Sequence, residues 1–440
     1  MPDGTPEPKI KRGDIPRLLA LLERTPPSEK WTVDAQLVHA YLDADDYVKA
    51  LSAFKACYEK LPEDQRTDII LAASKAMEEY GEMDESVMLL MRREKELETK
   101  DDGKSRELAQ VNMRHAQVLF RKSLFDQAME HCNLALAIFT EDEVSARDAV
   151  VVTTTMGMIM WEKGDYDMAL KFLEQALAMA DRSGDEEKIA NVNNSLGLVH
   201  YQLGNYHQAL KYYGTARVHA KGNTSLVLLI ENNTGLVHHD MGDYIIAKMY
   251  YDRCLQLSDE IGHFLSMALA HLNLGLLALD TGRPDEARDL LEESLSLCRH
   301  MKEKWVQALD RIGLARAYLM KGNLTLARHN AEQAFMLAED MKAKESKGMA
   351  LRELGRIDKL EDHKDDARRR FEESVTLFEA MHNRFELAKS LIALGAFQIA
   401  EGNDVATGKK NLEKALAIAI EIGAKGVQKE TEGALRELRT

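Results

Sequence analysis

Residues 162–170 read EKGDYDMAL, and four later stretches repeat the pattern: QLGNYHQAL at 202–210, DMGDYIIAK at 240–248, DTGRPDEAR at 280–288 and MKGNLTLAR at 320–328. Each has glycine in third place and alanine five residues further on. Working outward from them gives ten turn anchors, Asp45, Gly81, Ser123, Gly164, Gly204, Gly242, Gly282, Gly322, Asp362 and Gly402, separated by 36 to 42 residues. A recurrence of that length marks an array of one supersecondary unit rather than a string of unrelated domains.

Seven positions before the anchor stands a small residue in nine units: Ser74, Ala116, Gly157, Gly197, Gly235, Gly275, Ala315, Gly355 and Gly395, with Val38 the exception. Seven residues are about two helical turns, so the small residue shares a face with the helix end and lets a second helix come close. The anchor glycine suits the left-handed residue that stops a helix. The Asp165, Asn205, Asp243, Asn323 or Asn403 that follows is a preferred N-cap for the next helix. Behind the turn, Ala169, Phe172, Leu173, Ala176 and Leu177 keep helical spacing. These signals predict helix hairpins throughout and an all-α chain.

The ordered small residue, turn glycine, alanine and large apolar residue over 31–420 resemble the tetratricopeptide repeat, as do Trp31 and Pro62 bounding the first unit. The later units, near 40 residues, are similar to the longer form found in kinesin light chains, Pins-class polarity scaffolds and prokaryotic signalling proteins. Ser123 and Asp362 depart from the pattern where glycine is expected. The resemblance implies a right-handed α-α superhelix of about ten hairpins. An N-terminal extension would occupy 1–30, units one and two 31–100, units three to ten 101–424, and a capping helix 425–440. The charged segment LETKDDGKSRE at 97–107 is a candidate joint.

Composition narrows the function. The 440 residues are 45% hydrophobic but only 6% aromatic, which argues against an all-β enzyme, and a net charge of −15 disfavours nucleic acid and anionic membranes as partners. Cys57, Cys132, Cys254 and Cys298 stand too far apart for a zinc-ligand spacing or a disulfide framework. The polar N-terminus lacks the apolar core of a signal peptide and no segment offers 18 uninterrupted apolar residues, so a cytoplasmic location is expected. HExxH, GxSxG and GxGxxG are absent, and GNDVATGKK at 402–410 has the wrong spacing for a phosphate loop. The expectation is a non-enzyme with no cofactor and no metal. His200 and His238 occupy equivalent places in adjacent units, with His239 and Asp240 following, and offer zinc-type donors; hydrogen-bonded core histidines are the competing reading.

The resemblance also implies where a partner binds, because first helices line the concave face in this family. The face then includes Thr154, Met158, Trp161, Asn191, Asn194, Leu198, Tyr201, Asn232, Leu236 and His239. Asn194 and Asn232, at matched places, could hold the main chain of an extended ligand or could tie neighbouring helices together. Further along, Arg311, Arg316, Arg352, Arg356, Lys359 and Lys389 form a cationic stretch, free to take an acidic segment or neutralised locally by Glu353, Asp358 and Glu361. No asparagine directly follows a small position in units three to ten, so the carboxylate clamp of one co-chaperone subclass is not expected. The expected function is a scaffold or adaptor binding a protein segment or peptide. The alternative is a regulator that senses a peptide or small ligand.

Overall fold

Stop and start chemistry alternates along the chain. At Gly164 the backbone turns left-handed (φ 80°), Asp165 N bonds back to Met160 O, and the Asp165 side chain accepts from Met168 N to open the next helix. The same left-handed turn recurs at Gly204, Gly242, Gly282 and Gly322, and also at Ser123 (φ 58°) and Asp362 (φ 62°), which adopt it without being glycine. Asn205 and Asp243 follow such turns without a side-chain cap bond.

The computed structural model describes residues 14–44, 46–99, 105–139, 143–301, 303–401 and 404–437; the anchors Asp45 and Gly402, the cap Asn403 and residues 100–104 of the candidate joint lie outside them. The described residues form 22 α-helices and no strand, so the chain is an all-α superhelix of stacked hairpins. It divides into two compact units at Asp185/Glu186.

The first unit holds α1 (Ile15–Arg24), α2 (Lys30–Leu42), α3 (Tyr47–Cys57), α4 (Glu63–Tyr80), α5 (Met83–Glu98), α6 (Arg106–Arg121), α7 (Phe125–Phe139), α8 (Glu143–Glu162) and α9 (Tyr166–Ser183). Arg93 on α5 is almost wholly buried and pins α4 and α6 to α5, bonding Glu63 at 2.6 Å, Thr67 at 2.9 Å and Glu107 at 3.2 Å.

The second unit holds α10 (Glu186–Gln202), α11 (Tyr206–His219), α12 (Thr224–Asp240), α13 (Tyr244–Ile261), α14 (Phe264–Asp280), α15 (Pro284–Met301), α16 (Lys304–Met320), α17 (Leu324–Asp340), α18 (Lys344–Leu360), α19 (Lys364–Ala380), α20 (Arg384–Ala400), α21 (Val405–Ile422) and α22 (Lys425–Glu437). First helices also pack on first helices, in the order α10, α12, α14, α16, α18, α20, which places them along one wall. Each hairpin is pinched at its small residue. A Cβ on Gly235 would stand 2.5 Å from the Tyr251 ring, one on Gly275 2.7 Å from Leu291, and one on Gly355 2.8 Å from Phe371. The alanines five residues past the anchors, Ala209 to Ala367, are fully buried in the same crossings.

The last helices of this unit return to its first turns. Tyr206, Tyr213 and Leu226 share one apolar cluster with Leu387, Leu391, Ile422 and Val427, and Lys425 pairs with Asp243 at 3.1 Å. The two ends of the wall are thereby brought face to face.

Candidate functional site

The wall of first helices in the second unit carries two kinds of polar ladder. Amides come first: Asn233 donates to Asn194 Oδ1 at 3.1 Å, and Asn273 donates to Asn232 Oδ1 at 2.7 Å. Asn194 and Asn232 therefore tie neighbouring helices through their oxygens, while their Nδ2 groups bond no described residue. Asn191 does not join them, because it is exposed and bonds Glu187 O of its own helix. Leu198 and Leu236 stand half-buried beside the ladder.

Charge follows. His239 bonds Asp280 at 2.9 Å, and Arg316 donates to the other Asp280 oxygen at 2.5 Å. Arg356 donates to Glu353 at 2.7 Å. Arg352 reaches Glu386 at 2.6 Å and Ser390 at 3.1 Å, and Lys389 holds the second Glu386 oxygen at 3.2 Å. Tyr201 donates to Asp240 at 2.7 Å, with Tyr206 3.5 Å away.

The proton affinities show how closely these groups press on each other. Burial raises Asp280, but the His239 hydrogen bond and Arg316 outweigh it and hold the carboxyl well below its ordinary range. Glu353 is likewise lowered against its burial by Arg356, Arg352 and Arg316. Asp240 goes the other way: burial pushes it up to about 6 in spite of His239, Tyr201 and Lys389. Lys389 acts on both Asp240 and Asp280, and Glu430 of α22 acts on Arg316, so α12, α14, α16, α18, α20 and α22 share one electrostatic neighbourhood.

Of the expected cationic residues, Arg316, Arg352, Arg356 and Lys389 come together, each with a carboxylate partner, and Tyr201 and His239 join the same network. Arg352 is only 2% exposed, whereas the Arg316 and Arg356 side chains keep 27% of their surface. Arg311 turns instead to Asn330 on α17, and Lys359 is exposed and forms no ion pair among the described residues. In the first unit, Thr154 bonds Val150 O of its own helix, and Met158 and Trp161 lie half-buried on the same α8 face, with Trp161 Nε1 buried and bonded to none of the described residues.

The three histidines considered for zinc do not converge. His200 stacks on Tyr212 and His238 on Tyr250, both with rings 9° from parallel, while His239 turns to Asp280. Asp280 and Glu386 escaped the sequence reading. Asp280 had a legible trace, because it stands 40 residues after Asp240 at the same helix end. The four cysteines are buried, which pushes their thiols up to about 11 for Cys57 and about 12 for the others, so they are protonated at neutral pH and poor nucleophiles. No helix among the described residues is long and apolar enough to cross a membrane.

No curated protein matches the chain. Solved structures do. The fold is similar to that of a Rap protein complexed with competence and sporulation factor, at 12% identity over 81% of this chain and 99% of that one (TM-score 0.62). It is similar to the Rap conjugation gene regulator of the plasmid pLS20 in complex with the Phr* peptide, at 17% identity over 76% and 95% (TM-score 0.56). The apo form of the quorum sensor NprR from B. thuringiensis matches at 13% identity over 81% and 99% (TM-score 0.55). At these identities the likeness speaks to fold. The family follows from the sequence itself, since residues 109–421 match the model of the MalT-like TPR region, and the chain belongs to that tetratricopeptide-repeat family.

Proposed function

We propose that this chain is a non-enzymatic, cytoplasmic regulator that holds a peptide or protein segment against the first-helix wall of residues 186–437. The observation that carries the reading is the pair Asn194 and Asn232. Their oxygens are committed to the next helix, which fixes the side chains, and their amide donors bond no described residue. Two fixed donors one repeat apart suit the carbonyls of an extended main chain. Arg316 and Arg356, each partly exposed, can exchange a protein carboxylate for one on an acidic ligand segment. Two of the structurally similar proteins are described in complex with a competence and sporulation factor or a Phr* peptide, which supports a peptide as the ligand class.

Selection of short peptides from a random display library on the purified chain tests the proposal. The selected peptides should bind wild type and lose at least about tenfold in affinity to Asn194→Ala/Asn232→Ala, the order of one to two lost hydrogen bonds. Equal binding to the double variant would remove the wall from consideration.

A second reading, a scaffold that holds a protein on its outer side, is favoured by Ile245 and Met249 on α13. They stand one turn apart and are 81% and 65% exposed. Ile245→Glu/Met249→Glu should abolish such docking and leave peptide binding on the wall intact.

A further inference from the structure

In the first unit, α5, α6 and α7 bring together three side chains that neither the wall nor its ligand uses. Glu94 Oε2 lies 3.4 Å from His115 Nδ1, and Glu94 Oε1 lies 3.6 Å from His131 Nδ1. The two imidazoles face each other with ring centres 4.0 Å apart, and the three donor atoms lie within 4.8 Å of one another. We infer that Glu94, His115 and His131 form a binding site for one zinc-class divalent cation.

Three observations carry this. The first is an orphan: His115 is 3% exposed, and its Nδ1, 3.4 Å from Glu94 Oε2, makes no hydrogen bond among the described residues. A buried ring nitrogen in that condition carries a desolvation cost that a metal bond would remove. The second is charge. The Glu94 side chain is 14% exposed and, among the described residues, pairs with the two imidazoles and with no lysine or arginine. A dication supplies the missing compensation.

The third is size. Zinc bonds of about 2.0–2.1 Å to nitrogen and oxygen set the edge of a coordination tetrahedron at about 3.3 Å. The 3.4 and 3.6 Å separations match that edge within the reach of small side-chain rotations. In the metal-free chain His131 Nδ1 instead hydrogen-bonds Asn112 Oδ1 at 2.7 Å, a contact that ligation through this nitrogen would replace. When His131 ligates through Nδ1, its remaining proton sits on Nε2, and no net proton need leave. Two nitrogen donors exclude calcium and magnesium, which prefer oxygen.

A second convergence, Asp358, Glu361 and His363, fails on the same criteria. Arg328 already neutralises Asp358 at 2.7 Å and Glu361 at 2.5 Å, and Arg370 lies 2.9 Å from Asp358. Among the described residues the first site has no such competitor. Its ligands come from both sides of the 97–107 segment, so bound metal would brace α5 on α6 and α7 next to the Arg93 contacts.

The test uses the full chain, stripped with a chelator and titrated with zinc chloride by calorimetry and with cobalt chloride by visible absorption. One equivalent should bind tightly, the cobalt form should show the intense d–d bands of a tetrahedral site, and zinc should raise the unfolding temperature. Glu94→Gln and His131→Gln keep side-chain shape at partly exposed positions, with folding checked by circular dichroism. Each should lower zinc affinity at least about tenfold and remove the thermal shift, while His238→Gln changes neither. Failure to take up an equimolar amount of zinc, or unchanged affinity in both ligand variants, overturns the site.

Discussion

Arg352 on α18 and Glu386 on α20 meet at 2.6 Å with side chains only 2% and 9% exposed, so one repeat is joined to the next by a buried ion pair. Burial pushes Glu386 up, yet Arg352 and Lys389 outweigh it and hold the carboxyl at about 2. The pair is expensive to break from one side. Arg352→Ala leaves Glu386 buried beside a single lysine, and should cost about 3–5 kcal/mol in chemical denaturation. Replacing both with leucine should restore much of that loss. In acid, the unfolded chain takes up the Glu386 proton near the ordinary value while the folded chain resists to about 2. This contribution, on the order of 3 kcal/mol, is present above about pH 4.5 and is lost as pH falls towards 2. Glu386→Gln should remove that acid limb.

The pinched crossings separate two glycines that look alike in sequence. A Cβ on Gly235 would lie 2.5 and 2.8 Å from ring atoms of Tyr251, which is fully buried and cannot retreat. Gly214 in α11 has no atom within 4 Å of that position. Gly235→Ala should destabilise by about 1–3 kcal/mol through overpacking. Gly214→Ala should stabilise by about 0.5–1 kcal/mol through helix propensity alone. Thermal unfolding of the two variants side by side checks the register; the same sign for both would refute it.

The hairpins were legible because their determinants are local. A glycine, a cap and an alanine within six residues carry the turn at Gly164, and the requirement repeats down the chain. Even Ser123 and Asp362, which break the glycine rule, fold as their place in the repeat demands. The wall was legible only in outline. Arg316, Arg352 and Arg356 could be placed on first helices from spacing, but Asp280 and Glu386 lie 34 to 36 residues from the arginines they neutralise. Pairing at that distance is set by how hairpins stack. Glu94, His115 and His131 are hidden for the same reason: three helices must pack before their side chains converge.

Asp362 tests how much the left-handed turn costs a residue with a side chain. Its φ is 62°, the conformation that glycine provides at Gly322 one repeat earlier. A Cβ in this region costs roughly 1 kcal/mol, less for aspartate than for most residues. Asp362→Gly should therefore be neutral to stabilising by up to about 1 kcal/mol, and Gly322→Val should destabilise by more than that. A loss of stability in Asp362→Gly would mean that the carboxylate, 3.6 Å from Lys364, contributes more than the backbone strain removes.

Asp310 on α16 gives the opposite pH signature from Glu386. It is fully buried, accepts one hydrogen bond from Ser294 at 3.0 Å, and leaves its other oxygen without a partner among the described residues. Burial raises its pKa to about 8, and the Ser294 bond and Arg311 only partly oppose this. At neutral pH the folded chain thus keeps a proton that the unfolded chain has released. The linkage makes stability fall as pH rises, beginning near the ordinary carboxyl value and ending near pH 8, at up to about 1.4 kcal/mol per pH unit. Asparagine has nearly the same shape, keeps an acceptor for Ser294 and cannot ionise. Asp310→Asn should flatten the stability profile between about pH 4 and 8 and leave the variant more stable than wild type above pH 7, by roughly 1–3 kcal/mol after relaxation of the site. Denaturant midpoints measured across that range decide the matter: parallel profiles for the two proteins would show that Asp310 is ionised in the fold and compensated by a partner outside α15 and α16.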